Sequence, residues 1–343
     1  MKLGFKPKAI TKSLLSVLPE RARDVMERRY GLFGEAQEGM TLEAIGEIYG
    51  ITRERVRQIE NASLESIRNS ENYTKAAGQF EELEDLLTKH GGLAREEDFL
   101  NEISPDLNTQ NHANFLLTLG DSFVRLGEDD HFHHRWTTDE DRAEKIHQAL
   151  HNLRGELSLD EVIAETEIII RFLKQLEQVL EDEATEHHAR KWLRLSKHIG
   201  SNSLGEWGLA RSPSIKPRGI RDLAYLVLRK EGKPLHFTQV AEEIEKMFDR
   251  EAHVATTHNE LIKDNRFVLV GRGLYALSEW GYTSGVVRDV IRNVIKEKGP
   301  LAKDELIKEV LRQRQVKENT VYVNLQNLRY FKKDSRGRYA LVG

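Results

Sequence analysis

Residues 41–68 read TLEAIGEIYGITRERVRQIENASLESIR, and their spacing predicts two helices joined by a tight turn. Thr41 suits the cap of the first helix, whose apolar positions are Leu42, Ile45 and Ile48. Gly50 ends that helix, and Thr52 caps the second. Glu54 sits in the second helix's first turn, where the helix dipole favours a carboxylate. Val56, Ile59 and Ile67 continue a core-facing stripe. Gly46 lies four residues before Gly50, and Val56 six after it. A small residue at that spacing lets two helices cross closely, as in a helix-turn-helix. The exposed face of the second helix then presents Arg53, Glu54, Arg55, Arg57 and Gln58. Arginine pairs with guanine, glutamine with adenine, and glutamate accepts from cytosine N4.

The rest of the chain bounds what this motif serves. Its 343 residues suggest two or three domains, or more if they are small. With 39% hydrophobic and 31% charged residues, several small cores fit better than one large enzyme core. Cysteine is absent, which excludes disulfide frameworks, zinc ribbons and thiol catalysis, and an intracellular, reducing context is expected. No apolar run reaches the ~18–20 residues that span a bilayer. Residues 1–12 lack the apolar stretch of a secretory signal.

The net charge of −4 hides an uneven distribution. Residues 1–75 carry +2, residues 76–210 carry −15 and residues 211–343 carry +9. The basic third suits a polyanion. The acidic middle is repelled by phosphates and suits a spacer or a protein-contacting surface.

A pattern also recurs. A helix-like run ends at a basic residue and glycine, and a leucine opens a second run. The glycines are Gly92, Gly155, Gly232 and Gly299, each read as the left-handed stop of a helix. Each copy later reaches a strand–turn–strand segment: 122–136, 191–210, 266–280 and 329–343. Short helices closed by a hairpin describe a winged helix. The period marks separate small domains in tandem rather than a solenoid. The second copy is atypical, because residues 167–192 read as one long helix. The expected fold is therefore mainly α: a helix-turn-helix head over 1–74, then modules over 75–140, 141–212, 213–283 and 284–343.

Two stretches resemble known families. LPERARDVMERRYGL (18–32) followed by TLEAIGEIYGITRERVRQIE (41–60) resembles region 4 of housekeeping-type bacterial sigma factors, over about residues 10–70. The resemblance implies that Arg53, Glu54 and Gln58 read bases of a −35 promoter element. It implies support from Arg55 and Arg57, with Thr41, Arg21 and Arg29 as phosphate anchors. It also implies docking on the flap of the RNA polymerase β subunit. Nothing here resembles the sigma region that melts the −10 element, so a complete sigma factor is not expected. The family's basic continuation is replaced by residues 61–68, NASLESIR, which weakens phosphate attraction.

The second stretch, Gly219 to Tyr282, resembles the HARE-HTH winged-helix domain, which implies contact with DNA or the transcription machinery. Its reading helix is expected near Thr256, Thr257, His258 and Asn259 and to include Lys263, with Arg266 and Arg272 on the wing. The final module offers a polar helix from about Lys317, carrying Asn319, Thr320, Tyr322, Asn324 and Asn327. Its hairpin adds Lys332, Lys333, Arg336 and Arg338 as phosphate contacts.

Enzyme signals are thin. There is no G-x-x-x-x-G-K-[ST] loop and no G-x-G-x-x-G after a strand. His131, His133 and His134 beside Asp129 and Asp130, with His147, His151, His187 and His188 further on, read as exposed polar residues more readily than as metal ligands. No catalytic residue, cofactor or metal is expected. The reading is a cytoplasmic, nucleoid-associated transcription regulator or sigma-like factor. Its partners would be double-stranded DNA and RNA polymerase, with no membrane partner and no assigned oligomeric state. The rivals are a polymerase-binding accessory protein without base readout and the recognition component of a restriction or defence system.

Overall fold

A computed structural model describes residues 3–33, 38–181, 184–282, 287–313 and 317–342. The chain is mainly helical, with only small sheets. It divides into two units, Met1–Ser201 with Gly205–Ala210 and Asn202–Leu204 with Arg211–Gly343.

The first unit opens with a helical head: α1 (Pro7–Leu15), α2 (Glu20–Tyr30), α3 (Leu42–Tyr49), α4 (Arg53–Arg68) and α5 (Glu71–Lys75). A first winged helix follows as α6 (Ala77–Thr88), β1 (Leu93–Arg95), α7 (Glu96–Ile103), α8 (Leu107–Leu119), β2 (Val124–Leu126) and β3 (Arg135–Thr137). Its antiparallel sheet has the order β1-β3-β2, so the strand between the first two helices joins the hairpin. The second copy repeats this as α9 (Glu140–Glu156), β4 (Ile163–Ala164), α10 (Glu165–Leu176), α11 (Glu186–Leu193), β5 (Ile199–Ser201) and β6 (Glu206–Leu209), in the order β4-β6-β5.

The second unit repeats the order twice more. One copy is α12 (Ile220–Glu231), β7 (Leu235–His236), α13 (Phe237–Phe248), α14 (Val254–Lys263), β8 (Phe267–Leu269) and β9 (Leu274–Leu277), with β7-β9-β8 pairing. The other is α15 (Val287–Lys298), α16 (Lys303–Gln313), α17 (Glu318–Leu325), β10 (Phe331–Lys333) and β11 (Tyr339–Leu341). In that copy the first strand shrinks to Leu301, which bridges Tyr339. The expected boundary at 283/284 lies outside the described residues.

Three expectations about local structure need correction. Ile48 is 49% exposed, because the inward stripe of α3 runs Leu42, Ile45, Tyr49. Gly155 does not stop a helix: α9 continues to Glu156, and Gly155 lacks the positive φ that Gly92, Gly232 and Gly299 adopt. The long helix expected over 167–192 is two helices, because α10 ends at Leu176 and Thr185 caps α11 by accepting from the His188 amide.

The cores show how the first unit is built. One continuous cluster joins Leu14, Met26 and Ile67 of the head to Phe99, Phe115, Leu116 and Trp136 of the first winged helix. Tyr30 meets Phe115 edge-on at 5.2 Å. Arg68 donates to the carbonyls of Leu119 (2.9 Å) and Thr118 (3.1 Å), and Asn111 to that of Gly31 (2.9 Å). The face of α8 that a winged helix would offer to a groove is therefore spent on the head.

The second winged helix spends its third helix in the same way. Trp192 of α11 is fully buried, and its indole N–H donates to the carbonyls of His90 (3.0 Å) and Leu93 (3.1 Å). A side chain on Gly91 would lie 2.3 Å from the Trp192 ring, so only glycine admits this approach. Arg194 pairs with both oxygens of Asp98 at 2.7 Å. The wing of the first copy is held too. Phe132 bridges Ser196, the Lys197 amide donates to the His131 carbonyl (2.8 Å), and the His133 amide to that of Leu195 (3.0 Å).

Candidate nucleic-acid interface

The head builds its exposed helix as the spacing predicts. Thr41 accepts from the Ala44 amide and Thr52 from the Arg55 amide, each at 3.2 Å. Gly50 takes a left-handed conformation at φ 64°. Ile45 and Val56 are fully buried together with Val25, and Ile59 packs against them. With those side chains turned inward, Arg53, Glu54, Arg55, Arg57 and Gln58 all face solvent on the first turns of α4.

These five are not idle. Arg57 forks onto Glu54 with contacts of 2.9 and 2.7 Å. That donation holds the Glu54 carboxyl below the usual carboxylate range. Arg55 donates to the Gln58 side-chain carbonyl at 3.0 Å, and Arg53 lies 3.6 Å from Glu43 of α3. All are surface contacts, which contribute little stability and exchange readily for base or phosphate partners. They also keep the side chains extended along one face.

The expected phosphate anchors divide. Thr41 is exposed at the start of α3 and is the helix cap. Arg21 is exposed and rests over the Tyr49 ring at 5.4 Å. Arg29 instead faces Glu60 at 3.2 Å and donates to the Met40 carbonyl at 3.0 Å. Tyr30 donates to the same Glu60 oxygen at 3.0 Å, and its hydroxyl pKa is pushed up by burial and then by the Glu60 charge. Glu60 is a junction that pattern reading passed over, since its position in an exposed, charged helix gave no signal of burial.

In the second unit, α14 exposes Thr256, Asn259 and Lys263, while Thr257 is fully buried. His258 stacks on Phe237 at 4.2 Å. Arg266 is not a wing cation. It precedes β8 and pairs with Asp264 (2.7 Å) and with Asp222 (2.9 Å), whose side chain is 5% exposed. Arg272 is exposed at the hairpin tip. In the last copy, Lys332, Lys333 and Arg336 are exposed on β10 and the turn after it. Lys333 sits 5.2 Å from the Tyr339 ring centre. Arg338 is tied to Asp334 at 2.9 Å.

The histidines serve the interior of the first unit. Asp129 accepts the amides of His131 and Phe132 and pairs with Arg135. His147 stacks on Phe132 and accepts from Arg135, and burial with that neighbouring charge lowers its pKa to about 4. The ring nitrogens of His131 and His198 share a hydrogen bond of 3.0 Å. Among the described residues, no group of three or more such side chains is placed to hold a metal ion. No helix there is long and apolar enough to cross a membrane.

Comparison with known proteins bears on two segments. Residues 14–69 match the family described as sigma-70, region 4. Residues 219–280 match the HARE-HTH family, described as an ASXL and restriction endonuclease HTH domain. The RNA polymerase sigma factor SigA1 of Synechococcus elongatus is 46% identical over 56 residues, which is 16% of this chain and 14% of that protein. SigA of Microcystis aeruginosa and SigA of Synechocystis sp. are each 46% identical over 57 residues, 17% of this chain and 13% of theirs. The chain thus spans about one seventh of the length of these relatives. It carries a sigma region 4 segment in its head and a HARE-HTH segment in the first winged helix of its second unit.

Proposed function

We propose that this protein is a sequence-specific DNA-binding regulator of transcription, or a sigma-like factor, that reads a −35-like promoter element and contacts RNA polymerase. The observation that carries this reading is the capped, exposed N-terminal half of α4, with Arg53, Glu54, Arg55, Arg57 and Gln58 on a helix whose other face is buried. Inserted in a major groove, Arg53, Glu54 and Gln58 contact base edges, and Arg55 and Arg57 contact bases or phosphates. Thr41 and Arg21 supply phosphate contacts beside them. Arg29 acts mainly through its pairing with Glu60.

Packing divides the labour. The third helices of the two acidic winged helices are covered within the first unit, so those copies serve as scaffold. Flanking duplex falls to the basic second unit, where Lys332, Lys333 and Arg336 add affinity with little sequence information, and Arg338 adds less because Asp334 holds it. The head, the two acidic copies and the two basic copies form successive modules over 1–74, 75–140, 141–212, 213–283 and 284–343. The site of action is the cytoplasmic nucleoid, and the role is not catalytic.

Selection from a randomised duplex pool tests this reading. The protein is expected to enrich one short motif, and Gln58→Ala to relax it at one position. Enrichment of no motif contradicts it. A second reading, a polymerase-binding accessory protein, is favoured by the internal pairing of Arg57 with Glu54. It predicts binding to core RNA polymerase, through the β flap, that survives Arg53→Ala and Gln58→Ala, with little affinity for free DNA.

A further inference from the structure

Between the two acidic winged helices lies a cleft of about 490 Å³. One wall is β1 and α7, with Arg95, Asp98 and Asn101. The other is α11 and the β5–β6 hairpin, with Arg190, Arg194 and Trp207. The volume falls within the ~300–1,000 Å³ of small-molecule sites and exceeds the needs of a bare ion.

Its chemistry is lopsided. The acceptors on the walls are largely engaged: Arg194 occupies both oxygens of Asp98, Gln110 donates to the Asn101 carbonyl, and Arg190 takes one oxygen of Glu165. The donors are not. Arg190 uses only its Nε, at 3.1 Å from Glu165, which leaves both terminal nitrogens unengaged. Arg194 uses Nε and Nη2. Arg95 Nε is closed off from solvent and has no hydrogen-bond partner among the described residues. A buried donor without an acceptor is costly, and a ligand oxygen would relieve it. Guanidinium forks match the geometry of phosphate oxygens. Trp207 and Ala94, both nearly buried, give the cleft an apolar floor. This cluster of cations stands within residues 76–210, the most acidic part of the chain.

We propose that this cleft binds a small phosphorylated molecule: its phosphate meets Arg95, Arg190 and Arg194, and its body lies against Trp207. Because the walls come from two winged helices, the bound molecule clamps one to the other. The site is separate from α4 and does not depend on the reading given for that helix.

Isothermal titration of the full chain with pyrophosphate and with adenosine 5′-monophosphate, at ionic strength matched with sodium chloride, tests the proposal. At least one probe is expected to bind saturably at one site per chain with Kd below about 1 mM. Arg190→Gln is expected to weaken that binding at least ~10-fold, as loss of a charge-assisted contact requires. Arg190 is half exposed, so this variant keeps the fold, and Arg95→Gln provides an independent second lesion. Loss in either variant supports the site. Three results overturn it: no saturable binding by either probe up to about 10 mM, binding within about twofold of the parent in both variants, or binding lost only in Lys332→Gln/Lys333→Gln.

Discussion

The Ile51 amide donates to the Gly46 carbonyl at 2.9 Å, and the Ile51 carbonyl oxygen lies 2.6 Å from where a Cβ on Gly46 would sit. The turn of the head is thus closed against bare backbone, which cannot give way as a flexible side chain would. Gly46→Ala is expected to push α3 from α4 and cost the head about 1–3 kcal/mol, as overpacking does elsewhere. Native-state hydrogen exchange of the α3 and α4 amides checks this. Unchanged protection would show that the turn accommodates the methyl group.

His112 sits within α8, 3% exposed, and neither ring nitrogen has a hydrogen-bond partner among the described residues. Burial and then the Lys8 charge lower its pKa from 6.5 to about 4. The unfolded chain therefore takes up a proton near pH 6.5 that the folded chain refuses until about pH 4. Stability is lost as pH falls through that window and is present in full above it. His112→Leu removes this loss, and its stabilising effect is expected to be greater at pH 5 than at pH 7.5 by about 2 kcal/mol. His90 and His147 share the lowered value, so the variant remains acid-sensitive and the difference from the parent is what counts. Equal effects at both pH values in thermal unfolding contradict the assignment.

Arg266 and Arg272 make opposite predictions from neighbouring positions. Arg266→Ala strands the buried Asp222 carboxylate. It is expected to destabilise the second unit by about 2 kcal/mol, below the cost for a fully buried pair because Arg266 is partly exposed. DNA affinity should not change. Arg272→Ala is expected to leave stability unchanged and to weaken DNA binding. Urea unfolding and salt-dependent binding on both variants check the pair, and a shared phenotype contradicts it.

These contrasts show what the sequence carried. The head was legible because capping threonines, a turn glycine and inward apolar residues all agree over a few residues, from Thr41 to Val56. The recurrence of helices and hairpins was legible for the same local reason. Long-range choices were not. Nothing near Arg266 says that it pairs with Asp222, 44 residues away. Nothing near Trp192 says that its indole reaches His90. The covering of α8 and α11 depends on which modules meet. The cleft exists only after they have met, so its arginines read as ordinary helix-surface charges in the sequence.

The central claim is that the exposed face of α4 reads bases. Fluorescence anisotropy of the full chain on a duplex bearing TTGACA and on a scrambled duplex, across a salt series, tests it most directly. The predicted result is at least ~10³-fold tighter binding to the first, with the gap narrowing in Arg53→Ala and Gln58→Ala. Equal binding to both with a steep salt dependence would contradict the claim and leave DNA contact to the basic second unit alone.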